Sequence, residues 1–210
     1  MDYLKEYERW RERAQGADIR SELEAVSGDE KAIEDRFYTS LAFGTAGLRG
    51  ILGAGPNRMN VYTVGQATQG LAEWALEEGG GAVAIAYDSR HKSAEFAREA
   101  AGILAANGIK AHIYDRLMPT PLLSFAVREL GCRAGIMITA SHNPAQYNGY
   151  KAYGPDGCQM TELDAGRVYS LIQKTDVFDG VKRLDFEKAR AGGLVSFIGE
   201  ELIESYYDCV

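Results

Sequence analysis

The chain has 210 residues, 46% hydrophobic and 25% charged, with 24 glycines and 5 prolines that follow no fixed period. This composition excludes collagen-like, low-complexity and wholly disordered chains, and the length allows one large domain or one domain with part of another. Asp and Glu number 30 against 23 Lys and Arg, a formal charge of -7 without any basic run, which argues against a nucleic-acid partner. The charged N-terminus lacks the apolar core of a signal peptide, and no stretch approaches the ~20 apolar residues of a membrane span. A cytoplasmic protein without a membrane partner is expected. Cys132, Cys158 and Cys209 are far apart with no Cys-x-x-Cys pair, so reduced structural thiols are expected.

The first 40 residues read as two helices: Tyr3, Leu4, Tyr7 and Trp10 recur at helical spacing, and a second run carries Ile33, Phe37 and Leu41. Residues 1–42 are therefore a helical extension. Gly-rich turns follow from Phe43, then a helix over 61–78 that stops at Gly79-Gly80-Gly81. Residues 82–87 (AVAIAY) form an apolar run without polar alternation, as expected of a strand covered on both faces. A helix over 93–106, a strand over 110–114, a helix over 121–130 and a strand over 134–138 continue the alternation. Strands separated by helices imply βαβ crossovers, hence an α/β fold with three layers (αβα) and a mostly parallel, mixed sheet. Ligands in such sheets sit at the carboxyl ends of the strands, which singles out three loops, 88–92, 118–121 and 139–149. A helix over 161–174 opens on Thr161 as N-cap, and residues 175–198 are weakly periodic. Residues 199–210 place Leu202, Ile203, Tyr206, Tyr207 and Val210 on one helical face and end without a capping residue. The expectation is a first domain over 1–198, then the start of a second over 199–210, at the front of a longer polypeptide.

The strongest chemical signal is Thr139-Ala140-Ser141-His142-Asn143-Pro144, placed after an apolar strand and before Asn148-Gly149-Tyr150-Lys151. A serine there, between small residues and a proline-stiffened turn, is set to expose its hydroxyl in a cleft. A serine-hydrolase reading lacks the flanking glycines of Gly-x-Ser-x-Gly, and His142, as an immediate neighbour, points elsewhere. Arg49, Arg90, Lys151 and His142 put cations or donors into loops of an acidic chain, which suits a phosphate near Ser141. Gly44-Thr45-Ala46-Gly47-Leu48-Arg49-Gly50 matches neither the dinucleotide fingerprint nor a P-loop, yet its glycines would let the backbone approach an anion.

Taken together, residues 43–50, Asn57-Arg58-Met59-Asn60, Tyr87-Asp88-Ser89-Arg90, 139–144 and 148–151 resemble the α-D-phosphohexomutases, closest to the phosphoglucomutase/phosphopentomutase branch. The motifs keep the family order and cover only that family's first domain. The resemblance implies that Ser141 carries a phosphoryl group, gives it to a sugar phosphate and takes the other phosphate back from a bisphosphorylated intermediate. Arg49, His142, Asn143 and Arg90 would surround the phosphoserine as donors, and Thr45 would orient its loop or bond the phosphate. Lys151 would be either the general acid/base for the sugar hydroxyl or a neutralising cation.

The resemblance further implies glucose 1-phosphate and glucose 6-phosphate as substrates, with pentose or mannose phosphates as alternatives and glucose 1,6-bisphosphate as activator. It implies Mg2+ bound through the phosphate on Ser141, with its remaining ligands outside this chain, because no Asp-x-Asp occurs here. The other domains of the same polypeptide would be partners, and the chain alone would not turn over. A non-catalytic phosphate-binding module is the competing reading.

Overall fold

The computed structural model describes residues 2–44 and 47–210. Its helices are α1 (Tyr3–Arg13), α2 (Ala17–Ala25), α3 (Glu30–Phe37), α4 (Val61–Glu77), α5 (Ser93–Ala106), α6 (Thr120–Glu129), α7 (Glu162–Lys174), α8 (Phe186–Ala191) and α9 (Glu200–Asp208). Its strands are β1 (Leu48–Ile51), β2 (Val83–Tyr87), β3 (Ala111–Ile113), β4 (Ala134–Ile138), β5 (Tyr147–Tyr153) and β6 (Val195–Phe197). They form one mixed sheet in the order β1-β5-β4-β2-β3-β6, with β4, β2, β3 and β6 parallel and β5 and β1 antiparallel.

The three layers follow from alternation along the covered strands. Val83 and Ile85 of β2, with Ile136 and Ile138 of β4, join a core with Val64 and Leu71 of α4 and Phe96 and Leu104 of α5. Ala84, Ala86 and Met137 point the other way, onto Leu122, Leu123 and Ala126 of α6 and Ile203 of α9. Every one of these residues is buried.

Four corrections to the expected elements stand out. The N-terminal extension has three helices, because the chain turns at Gly16 between α1 and α2. The Gly-rich segment after Phe43 contains β1, and the 139–149 loop closes early, since β5 begins at Tyr147. The weakly periodic 175–198 stretch holds α8 and β6, which extends the sheet by pairing with β3. Elsewhere the expected elements stand, and the Thr161 hydroxyl caps α7 by accepting from Asp164 N at 3.2 Å. No helix among the described residues is long and apolar enough to cross a membrane.

Candidate active site

The strand order fixes where a cleft opens. From β2 the chain crosses over to β3 on one side, whereas β4, its neighbour on the other side, leads to β5 still farther out. The loops leaving the adjacent carboxyl ends, Tyr87 and Ile138, therefore part, and such a switch point is where α/β sheets take ligands. Residues 88–92 and 139–146 occupy it. They line an open cleft of 370 Å³ formed by Asp88, Ser89, Arg90, His91, Ser141, Asn143 and Ala145. A larger one, 560 Å³, lies between α1, residues 38–41 and the end of α7, and none of the expected site residues lines it.

Ser141 sits at the head of the second loop, exposed, with φ at 55°, a left-handed conformation that serine adopts at a cost of roughly 1–2 kcal/mol. Its backbone N–H donates to Thr139 Oγ1 at 2.9 Å, and Thr139 Oγ1 donates in turn to Asp88 Oδ2 at 2.6 Å. Asp88 Oδ1 accepts from Arg90 N at 3.0 Å, an Asx turn, and from Ser93 Oγ at 2.9 Å. The Asn148 amide donates to His91 O at 2.9 Å and to Ser93 Oγ at 3.0 Å, so the two loops are tied through buried polar groups.

The antiparallel half of the sheet brings the cations. Arg49 on β1 faces Gly149 in register, and Gly149 and Lys151 share one face of β5. Lys151 Nζ donates to Ser141 Oγ at 2.8 Å. Arg49 Nη1 donates to Asn143 Oδ1 at 3.1 Å, drawing that side chain toward β1. Burial and then the Arg49 charge push the Lys151 ammonium below the ordinary lysine range, against an opposing pull from Asp88.

Two glycines permit this geometry. A Cβ on Gly149 would lie 2.6 Å from Thr139 O and 2.9 Å from Leu48 O, where three chain segments crowd together. Gly47, at φ 86°, packs against the backbone of Tyr150 and lies where a Cβ would come within 2.9 Å of Lys151 Cα.

The expected residues divide accordingly. Ser141 is hydrogen-bonded to Lys151 and Asn143 to Arg49, and His142 is exposed on the same loop. Thr45 lies outside the described residues. Arg90, also expected as a phosphate donor, is engaged by the loop itself. Its guanidinium donates to Pro144 O at 3.0 Å, Tyr147 O at 3.1 Å, Ser141 O at 2.8 Å and Asn143 O at 2.6 Å. Its Nε lies 3.6 Å from Asp88 Oδ2, so all five N–H groups face protein acceptors. Sequence reasoning gave no role to Asp88, Thr139 or Asn148. An Asp two residues before an Arg in a post-strand loop was the available signal for the first.

Magnesium does not find a complete ligand set here. A hard dication takes about six or more oxygen ligands, and no group of three or more His, Cys, Asp or Glu able to hold a metal occurs among the described residues. Asp88, the carboxylate lining the cleft, is already engaged by Thr139, Ser93 and Arg90.

Residues 40–178 match the family model described as phosphoglucomutase/phosphomannomutase, alpha/beta/alpha domain I. The chain belongs to the phosphoglucomutase/phosphomannomutase family. Among relatives, it is 52% identical over 130 residues to a phosphoglucomutase of Staphylococcus haemolyticus (strain JCSC1435), an alignment covering 61% of this chain and 24% of the relative. It is 45% identical over 150 residues to a probable phosphoribomutase of Schizosaccharomyces pombe (strain 972), covering 70% and 26% respectively. The crystal structure of a putative phosphomannomutase from Thermus thermophilus superposes with a TM-score of 0.62 at 35% identity, over 72% of this chain and 34% of that one. The chain thus spans about a quarter of the length of these curated relatives. The family match covers the sheet through β5, α7 and both cleft loops, and it begins after the N-terminal helices.

Proposed function

We propose that this chain is the phosphoryl-carrying first domain of a sugar-phosphate mutase that interconverts glucose 1-phosphate and glucose 6-phosphate, with Ser141 as carrier. The observation that carries this reading is the Lys151 ammonium 2.8 Å from the hydroxyl of a left-handed serine at the switch point. Names of relatives alone would not assign these roles.

In the loading half-reaction, Ser141 Oγ attacks a phosphorus of the bisphosphorylated sugar. The Oγ–P bond forms, the sugar O–P bond breaks, the serine proton passes to Lys151 in its neutral form, and the ammonium so formed gives that proton to the leaving sugar oxygen. In the reverse sense, neutral Lys151 takes the proton of the attacking sugar hydroxyl while phosphoserine gives up its phosphoryl group. The lowered ammonium makes the neutral amine accessible nearer neutrality. Phosphate-ester cleavage demands accelerations of up to roughly 10²¹-fold, most of it from positioning and charge stabilisation. A phosphoserine of about -1.5 to -2 charge would meet Arg49, Lys151, the Asn143 amide and His142. Magnesium, which would add charge neutralisation when bound, needs ligands beyond those described in this chain.

The test is donor competition. Incubated with Mg2+ and glucose 1,6-bisphosphate, the complete polypeptide carrying this domain should gain one phosphoryl group by intact mass, faster than with ribose 1,5-bisphosphate, and its Ser141→Ala variant should gain none. Faster loading from the pentose donor would move the substrate to pentose phosphates. Tight phosphate binding without any transfer would favour the non-catalytic module.

A further inference from the structure

We infer that Arg90 is a positioning residue, a clamp that holds Ser141 in its left-handed conformation by gathering four carbonyls of its loop. The inference rests on reading Ser141 as the phosphoryl carrier, but its geometry stands apart from that reading. Four carbonyl oxygens from a span of seven residues, 141, 143, 144 and 147, converge on one guanidinium at 2.6–3.1 Å. Without that cation their dipoles would repel, and the loop would open to hydrate them. Asp88 braces the clamp from below. One of its oxygens takes the Arg90 backbone N–H, and the other takes the Thr139 hydroxyl that fixes Ser141 N.

The clamp also sets polarity. In a trans peptide the N–H points opposite to the preceding C=O, so aiming Ser141 O and Pro144 O at Arg90 turns the His142 and Ala145 N–H groups away from it. No acceptor within the described residues takes either of these two. One arginine thus turns carbonyls inward and leaves amide donors on the side of the loop away from it, available to an anion. Lysine cannot replace it, because an ammonium has three tetrahedral donors and no planar fork to span four acceptors.

The experiment compares the complete wild-type polypeptide carrying this domain with its Arg90→Lys and Arg90→Gln variants. Backbone carbon shifts and the HN–Hα coupling of Ser141 report φ directly, and phosphoryl loading from glucose 1,6-bisphosphate gives rate and half-saturation. We expect Ser141 to leave the left-handed region in both variants, with the maximal loading rate falling on the order of 10²-fold and half-saturation little changed. Arg128→Lys, on the exposed end of α6, should move neither. Retention of the left-handed Ser141 at an unchanged rate would overturn the clamp. A raised half-saturation at full maximal rate would also overturn it, by making Arg90 a phosphate ligand. If the wild type takes no phosphoryl group, the functional reading fails while φ still judges the clamp. Should both Arg90 variants fail to fold, Thr139→Val breaks the same brace at Ser141 N and should also displace φ, with Thr139→Ser restoring it.

Discussion

The N-terminal helices and the Ser141 loop are held by opposite means. In the extension, Trp10 meets Phe37, Tyr62 and Phe178 edge to face at centroid distances of 6.0, 5.2 and 5.3 Å, in a core with Tyr7, Ile19, Leu23 and Ile33. Such packing spreads its stabilisation over buried apolar area and many contacts, so that loss of one contact leaves the others in place. The Ser141 loop is exposed over most of its length, contributes little apolar area, and depends on a chain of oriented polar bonds from Asp88 through Thr139 and Arg90. One region should fail by losing stability; the other should fail by losing geometry.

That contrast can be broken at both ends. The largest effect should come from Lys151→Met, which removes the amine beside Ser141 Oγ and should slow phosphoryl loading by about 10²–10⁴-fold in a rapid-quench assay. Denaturation midpoints should barely move. Lys151→Arg should not restore the rate, since a guanidinium keeps its proton. Trp10→Ala should do the reverse, lowering unfolding free energy in urea by about 3–5 kcal/mol while leaving the Ser141 coupling constants intact in the folded fraction.

A pH profile sharpens the site's electrostatics. If neutral Lys151 is the base, loading should rise with pH and level off above its pKa, which burial and Arg49 hold below the ordinary lysine value. Arg49→Gln removes one of those two causes, so Lys151 should regain its proton affinity and the rising limb should shift to higher pH. An unmoved limb would assign the titration to another group.

Smaller effects remain instructive. Ser141→Gly should abolish loading yet stabilise the fold by up to about 1 kcal/mol in denaturant titrations, because glycine adopts a positive φ without the Cβ penalty. Thiol labelling should proceed readily at exposed Cys158 and Cys209, whereas Cys132, buried and with its thiol pushed up to about 11, should react only after unfolding.

Much of this architecture is legible in the amino-acid sequence. The run 82–87 and the segment 134–138 announced buried strands, and Lys151 lies within hydrogen-bond distance of Ser141. What escaped has physical causes. β5 opens with Tyr147-Asn148-Gly149, a turn signal in local chemistry, yet Gly149 is there because strands crowd against it from both sides. β6 has only three residues and gains its identity from pairing with β3. The Arg90 contacts were not legible because its partners are main-chain carbonyls, which carry no mark in a sequence.

The central claim is that Ser141 is the phosphoryl carrier. Tandem mass spectrometry of the complete polypeptide carrying this domain after incubation with Mg2+ and glucose 1,6-bisphosphate, before and after a chase with glucose 6-phosphate, tests it most directly. The account predicts one phosphoryl group on Ser141, removed by the chase. A chase-labile phosphoryl group on any other residue, with Ser141 unmodified, would contradict it.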